Sequence, residues 1–200
     1  MAAPIDFYFD FSSPYGYLAS HKIDALAAKH GREALWRPYL LGAVMKVTGQ
    51  QPLPSIPLKG DYAKRDFLRS ARFHGVPYRH PTTFPIASVA PTRAFYWLNA
   101  KDPKRAKELA RALYAAYFLE DVDTSQAENT IAVAAKLGLP EGEVRAGIND
   151  QTVKDLTRAE VDKAIALGAF GSPYIVVDGE PFWGVDRFDQ IDRWLSSGEF

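Results

Sequence analysis

The sequence predicts an α/β domain whose four-stranded sheet is interrupted by a large all-helical insertion. Three observations carry that prediction. Residues 5–10 alternate apolar and polar with aromatic enrichment, and a helix and a second strand follow within thirty residues. From Asp61 to about Leu167 no strand pattern occurs. Two short strands around Gly179 and a last helix then close the chain. A two-stranded piece is marginal alone, so the two sheet-forming ends must share one sheet. The expected division is therefore 1–60 with 168–200 for the sheet domain and 61–167 for the insertion.

Each element has its own signal. In the first strand Ile5, Phe7 and Phe9 point one way and Asp6, Tyr8 and Asp10 the other. Ser13 reads as an N-cap with Pro14 at the first helical position, and the helix runs to Gly31. Residues 33–40 form a second strand, parallel to the first because a helix connects them. Residues 42–60, with Pro52, Pro54 and Pro57, read as a loop. About five helices follow, one with Ala63, Phe67 and Ala71 on its inner face and others over 86–99, 103–118, 124–137 and 150–167. Residues 174–178 and 181–184 read as an antiparallel hairpin, and 186–196 as the terminal helix.

Composition narrows the function classes. The 200 residues are 47% hydrophobic, enough for a sizeable core. Lys plus Arg and Asp plus Glu are both 24, so there is no basic excess of the kind nucleic-acid or membrane-surface binders show. Cysteine is absent, which excludes a disulfide framework, thiolate metal sites and any reaction of the protein's own thiol. Neither a signal-peptide pattern nor a membrane-length apolar run is present, and a cytoplasmic, soluble protein is the expectation.

Two segments stand out chemically. Ser13-Pro14-Tyr15-Gly16 opens a helix directly after the first strand, where exposed amides favour an anion; Ser13 also reads as a plain cap. Gly171-Ser172-Pro173-Tyr174 precedes the late hairpin, where a cis X–Pro bond would turn the chain. A helix-start serine facing such a proline has the outline of a thioredoxin-type site. The remaining candidates are bland. His21, His30, His74 and His80 lack ligand spacing, so no metal is expected. The stretch from Lys59 to Arg79 holds six Lys/Arg against two Asp, a solvated helix face that would also steer anions near a site. Glu120, Asp121 and Asp123 read as a loop and helix start, and residues 49–60 lack the Lys-Ser/Thr pair of a phosphate loop.

At these segments the chain resembles the thioredoxin-like proteins of the DsbA type, with S-P-Y-G in the place of their C-P-x-C. Loss of both sulfurs removes disulfide exchange. DFSSPYGYLAS, GAVMKVTGQQP, DYAKRDFLRSARFHG and GAFGSPYIVVDGEPFWGVDRFDQI, in this order, resemble the 2-hydroxychromene-2-carboxylate isomerases and their relatives, the kappa-class glutathione transferases. The likeness spans the whole chain and implies a thioredoxin-like fold.

The resemblance implies a glutathione site. Ser13 matches the catalytic serine, whose hydroxyl would hydrogen-bond the glutathione sulfur and lower its pKa as a thiolate stabiliser, not as a nucleophile. Pro14 and Tyr15 belong to the same turn, Tyr15 also lining the substrate pocket. Ser172 and Pro173 match the cis-proline loop, whose backbone contacts the cysteinyl part; Ser172 stands where transferases carry a larger apolar residue. Val185 and Asp186 match the pair at the last helix start that holds the γ-glutamyl end, Asp186 alternatively being an N-cap. Gln50 and Lys59 match polar and basic positions that reach the peptide backbone or the glycine carboxylate.

The implied activity is a glutathione-dependent cis–trans isomerisation of an aromatic 2-oxo acid in a homodimer. Two alternatives stay open. A kappa-like transferase would release a conjugate, and a non-catalytic DsbA-like binding protein would keep S-P-Y-G as a relic.

Overall fold

Ile5–Phe9 (β1) and Ala34–Pro38 (β2) pair in parallel, with Phe7 opposite Trp36. Tyr174–Val177 (β3) runs antiparallel to β1, and Glu180–Trp183 (β4) antiparallel to β3 across the Asp178-Gly179 turn. The order β2-β1-β3-β4 makes one four-stranded mixed sheet from both ends of the chain, as predicted. The computed structural model describes residues 3–200, so Met1 and Ala2 of the expected first segment lie outside the described residues.

β1 is central because both of its faces are covered. Ile5, Phe7 and Phe9 are fully buried, with Trp36 edge-on at 5.3 and 5.4 Å from the Phe7 and Phe9 rings. Each buried phenylalanine contributes about 2 kcal/mol. Tyr8 faces the other way yet is also buried, against Tyr39, Tyr174 and Val176 and beneath Val161 and Ala164. Asp6, on the same face as Tyr8, is half-buried, and its carboxylate accepts from Arg37 Nε at 2.6 Å.

The connections differ from the expectation in four places. The first helix is two, Pro14–Ser20 (α1) and Ile23–Lys29 (α2). The break falls on the polar run Ser20-His21-Lys22, where the Ser20 hydroxyl donates to the Tyr17 carbonyl at 2.6 Å, and the second piece turns Ile23 and Ala27 into the core. The first half of the expected loop is a helix, Leu41–Thr48 (α3), because all the prolines come after its end at Gly49. A short 3-10 turn, Leu53–Ser55, carries the chain to Lys59–Phe73 (α4).

The insertion continues with Val89–Asn99 (α5), Pro103–Phe118 (α6), Ala127–Lys136 (α7), Glu141–Asn149 (α8) and Gln151–Ala166 (α9). It therefore has one helix more than expected. α8 hides in sequence because Gly142 and Gly147 lower its propensity, but Gly147 lets α8 approach α5. A Cβ there would lie 2.2 Å from Trp97 Cδ1. Finally, Val185–Arg187 is a 3-10 turn and the last helix begins at Phe188 (α10, Phe188–Ser197). Among the described residues no helix is long and apolar enough to cross a membrane.

Candidate functional site

β1 ends at Phe9, and the four residues Asp10–Ser13 turn the chain into α1. Ser13 caps α1 as expected, accepting from the Gly16 amide at 3.1 Å. The same hydroxyl donates to the Ser172 carbonyl at 2.8 Å, with both serines buried. Ser172–Pro173 is cis. The two segments singled out in the sequence, 159 residues apart, therefore meet through one hydroxyl.

Asp10 fixes this meeting. Its amide donates to Ser172 Oγ at 2.9 Å, and its carbonyl accepts from the Tyr114 hydroxyl at 3.0 Å. Its buried carboxylate accepts from the Ser12 amide at 2.7 Å, the Leu41 amide at 2.8 Å and the Ser88 hydroxyl at 2.9 Å. Burial pushes the carboxyl above its ordinary value, and these three hydrogen bonds offset that only in part. Gly16 completes the packing, since a Cβ there would lie 2.6 Å from Ser172 Oγ and 2.8 Å from Tyr114 Oη.

A cleft of about 990 Å³ opens on the outer side of this pair, walled by Tyr15, Ser172, Trp183 and Val185. Ser13, bonded to the Ser172 carbonyl, is not itself among the residues that wall the cleft. Pro173 does not face the cleft, but its carbonyl accepts from the Gly184 amide at 3.1 Å and so holds the Val185 turn against the loop. Asp186 lines the cleft and is 3.5 Å from Arg187. It does not cap α10, whose start carries no side-chain cap. Gln50 and Lys59 are exposed and stand apart from the cleft walls, Gln50 just past α3 and Lys59 at the start of α4.

Most residues that line the cleft carry no site signal in the sequence, Asp66, Arg69, Lys22 and His74 among them. Asp66 accepts from the Tyr15 hydroxyl and pairs with Arg69. Partial burial raises the Asp66 carboxyl, but these bonds outweigh it and hold the group below its ordinary value. Tyr15 is thereby braced on α4, its ring edge-on to Phe67 at 5.2 Å. At the far end Lys22 Nζ stands 3.4 Å from His74 Nδ1 and 5.0 Å from the centre of the Phe188 ring. Burial and the Lys22 charge lower the His74 pKa. Asp66, Arg69 and His74 lie within or beside the basic stretch noted in the sequence, while Lys22 had no signal beyond its place in a helix break.

Two outcomes follow. Gly16→Ala overpacks the joint between the two segments and lowers stability by about 1–3 kcal/mol in denaturant unfolding. For Asp10 the folded pKa lies above the unfolded one, so its stabilising contribution is present below the unfolded carboxylate range and lost as pH rises through the raised value. The unfolding free energy of wild type relative to Asp10→Asn therefore falls as pH climbs from about 4 towards neutrality, a slope that urea titrations across pH measure.

Comparison with known proteins places this geometry. The chain is similar to a 2-hydroxychromene-2-carboxylate isomerase of Sphingobium xenophagum, 27% identical over 201 residues that cover 98% of this chain and 99% of the relative. It is also similar to glutathione S-transferase kappa 1 of Caenorhabditis elegans, 28% identical over 94% of this chain and 88% of the relative. A solved 2-hydroxychromene-2-carboxylate isomerase structure superposes with a TM-score of 0.85 at 25% identity, covering 96% of this chain and 94% of that one. The model of the DsbA-like thioredoxin domain matches residues 4–196, and the chain belongs to that family.

Proposed function

We propose that the protein is a glutathione-dependent cis–trans isomerase of an aromatic 2-oxo acid, of the 2-hydroxychromene-2-carboxylate and trans-o-hydroxybenzylidenepyruvate type. One observation carries the reading: the hydroxyl of the helix-start Ser13 bonds the carbonyl of Ser172, a residue that walls the large cleft, in a chain without cysteine. With no thiol of its own, the protein leaves thiol chemistry at this position to a bound one. The cleft suits a peptide that bears both carboxylates and an amine, since its lining sets Lys22, Arg69 and Arg187 beside Asp186 and Asp189.

Glutathione, when bound, supplies the thiol whose reversible addition to the conjugated alkene makes the bond rotatable. The protein's part is to hold that thiol ionised. Ser13 has a single hydroxyl proton, which the Ser172 carbonyl takes in this structure. To stabilise a sulfur anion the O–H turns from that carbonyl, while the Gly16 amide keeps hold of the oxygen. The amides of the first turn of α1 add to the hydroxyl's effect on the anion. Val185 and Asp186 bind the γ-glutamyl end, and Tyr15, braced by Asp66, lines the substrate pocket. Gln50 and Lys59 stand apart from the cleft walls, so in this reading they meet only a part of the peptide that extends beyond the cleft towards the segment leading into α4. The homodimer and the cytoplasmic setting belong to the same reading.

A second reading, a kappa-like transferase, has support from the similarity to kappa-class relatives along nearly the whole chain. Stoichiometry separates the two, because conjugation consumes glutathione and isomerisation does not.

The test is the ultraviolet interconversion of 2-hydroxychromene-2-carboxylate and its ring-opened trans isomer, with and without catalytic glutathione. The expected result is glutathione-dependent turnover with no thiol consumed. Ser13→Ala should slow it by about a hundred- to a thousandfold, or about 2.7–4 kcal/mol. Near-normal turnover by that variant overturns the role given to Ser13.

A further inference from the structure

A second cleft, sharing no residue with the first, lies where α3, α5 and α9 meet and encloses about 420 Å³. Its charged lining is unbalanced: Arg93, Lys154 and Arg158 line it with one carboxylate, Asp162, and only Arg158 has an acid partner outside the lining, Asp155. Of the other acids of α9, Glu160 is committed away from the cleft, and Asp155 is committed to two of its lining residues. Glu160 takes Arg37 at 3.5 Å and Lys163 at 2.6 Å, and Asp155 takes Gln151 at 2.9 Å and Arg158 at 3.8 Å.

Arg93 is the telling residue. Its Nε is buried and has no hydrogen-bond partner. A buried guanidinium donor left unpaired is costly, and the planar fork of arginine is best satisfied by two oxygens of one anion. Arg93 is held in position by its place on α5, whose neighbouring side chains Thr92 and Ala94 are buried. Leu40 and Val161 supply apolar surface across the same cleft.

We infer that this cleft is a binding site for a small amphipathic carboxylate. Arg93 would take the carboxylate in bidentate fashion, Lys154 would add a second positive charge, and the apolar body would lie against Leu40 and Val161. The volume lies within the range of small-molecule sites. α3 and α5 both begin at groups bonded to the Asp10 carboxylate, namely the Leu41 amide and the Ser88 hydroxyl. The cleft therefore shares its anchoring with the Ser13 turn while remaining a separate site.

The test uses 4-phenylbutyrate as the probe and 4-phenylbutyramide as its uncharged counterpart, titrated into the full chain and followed by amide chemical shifts. The expected result is saturable binding of the carboxylate, with shifts centred on α3, α5 and α9, weakened by added salt. Lys154→Gln, at a half-buried position, should weaken it several-fold, and Arg93→Gln by more than about tenfold. Lys154→Gln keeps the test usable if Arg93→Gln unfolds the chain. Equal binding of the amide, shifts centred on Tyr15 and Val185, or unchanged affinity in Lys154→Gln and a folded Arg93→Gln would each overturn the proposal.

Discussion

The turn at Asp10 is the joint on which the molecule is assembled. Its backbone ties the cis-proline loop and α6 to the end of the central strand, through Ser172 and Tyr114. Its carboxylate gathers the starts of α3 and α5 through Leu41 and Ser88. Elements from the beginning, middle and end of the chain therefore converge on one buried acid. Each of its bonds satisfies a donor that would otherwise be lost to burial, so the cost of removing the acid is shared by several partners. Ser13 inherits its position from this arrangement, because the Ser172 carbonyl it contacts belongs to a residue that Asp10 holds.

The same joint explains why a chain without cysteine keeps the layout of a thiol-handling fold. Sheet, capping serine and proline loop are set by packing and hydrogen bonds that do not involve sulfur. Tyr114 and Gly16 fill the space behind the loop, Gly16 because nothing larger fits beside Ser172 Oγ. In the proposed reaction the hydroxyl of Ser13 serves as a donor to a visiting sulfur, and the cleft beyond Ser172 receives the rest of the peptide.

Much of this was readable from sequence, and what was not has physical reasons. β1 announced itself by strict alternation of Phe7 and Phe9 against Asp6 and Tyr8, and the S-P pairs marked the two segments that meet. Alternation places Asp10 on the Tyr8 face but does not reveal that α3 and α9 bury this face, since that depends on contacts from distant parts of the chain. α3 was concealed by prolines that lie beyond it, and α8 by glycines whose value is close approach to Trp97. Lys22 and His74 come together only in space, 52 residues apart. The sequence pattern puts Asp186 at a helix start, whereas a 3-10 turn delays α10 to Phe188 and leaves the carboxylate in the cleft.

In the proposed reaction the Ser13 turn binds a foreign thiol and stabilises its anion. The most direct measurement is the ionisation of the glutathione thiol in complex with the protein, followed by ultraviolet thiolate absorbance across pH for wild type and Ser13→Ala. Bound glutathione should ionise at lower pH than free glutathione, and the variant should move the value back towards the free one. Glutathione that binds wild type and keeps its free thiol pKa, or that does not bind at all, would contradict this role of the Ser13 turn.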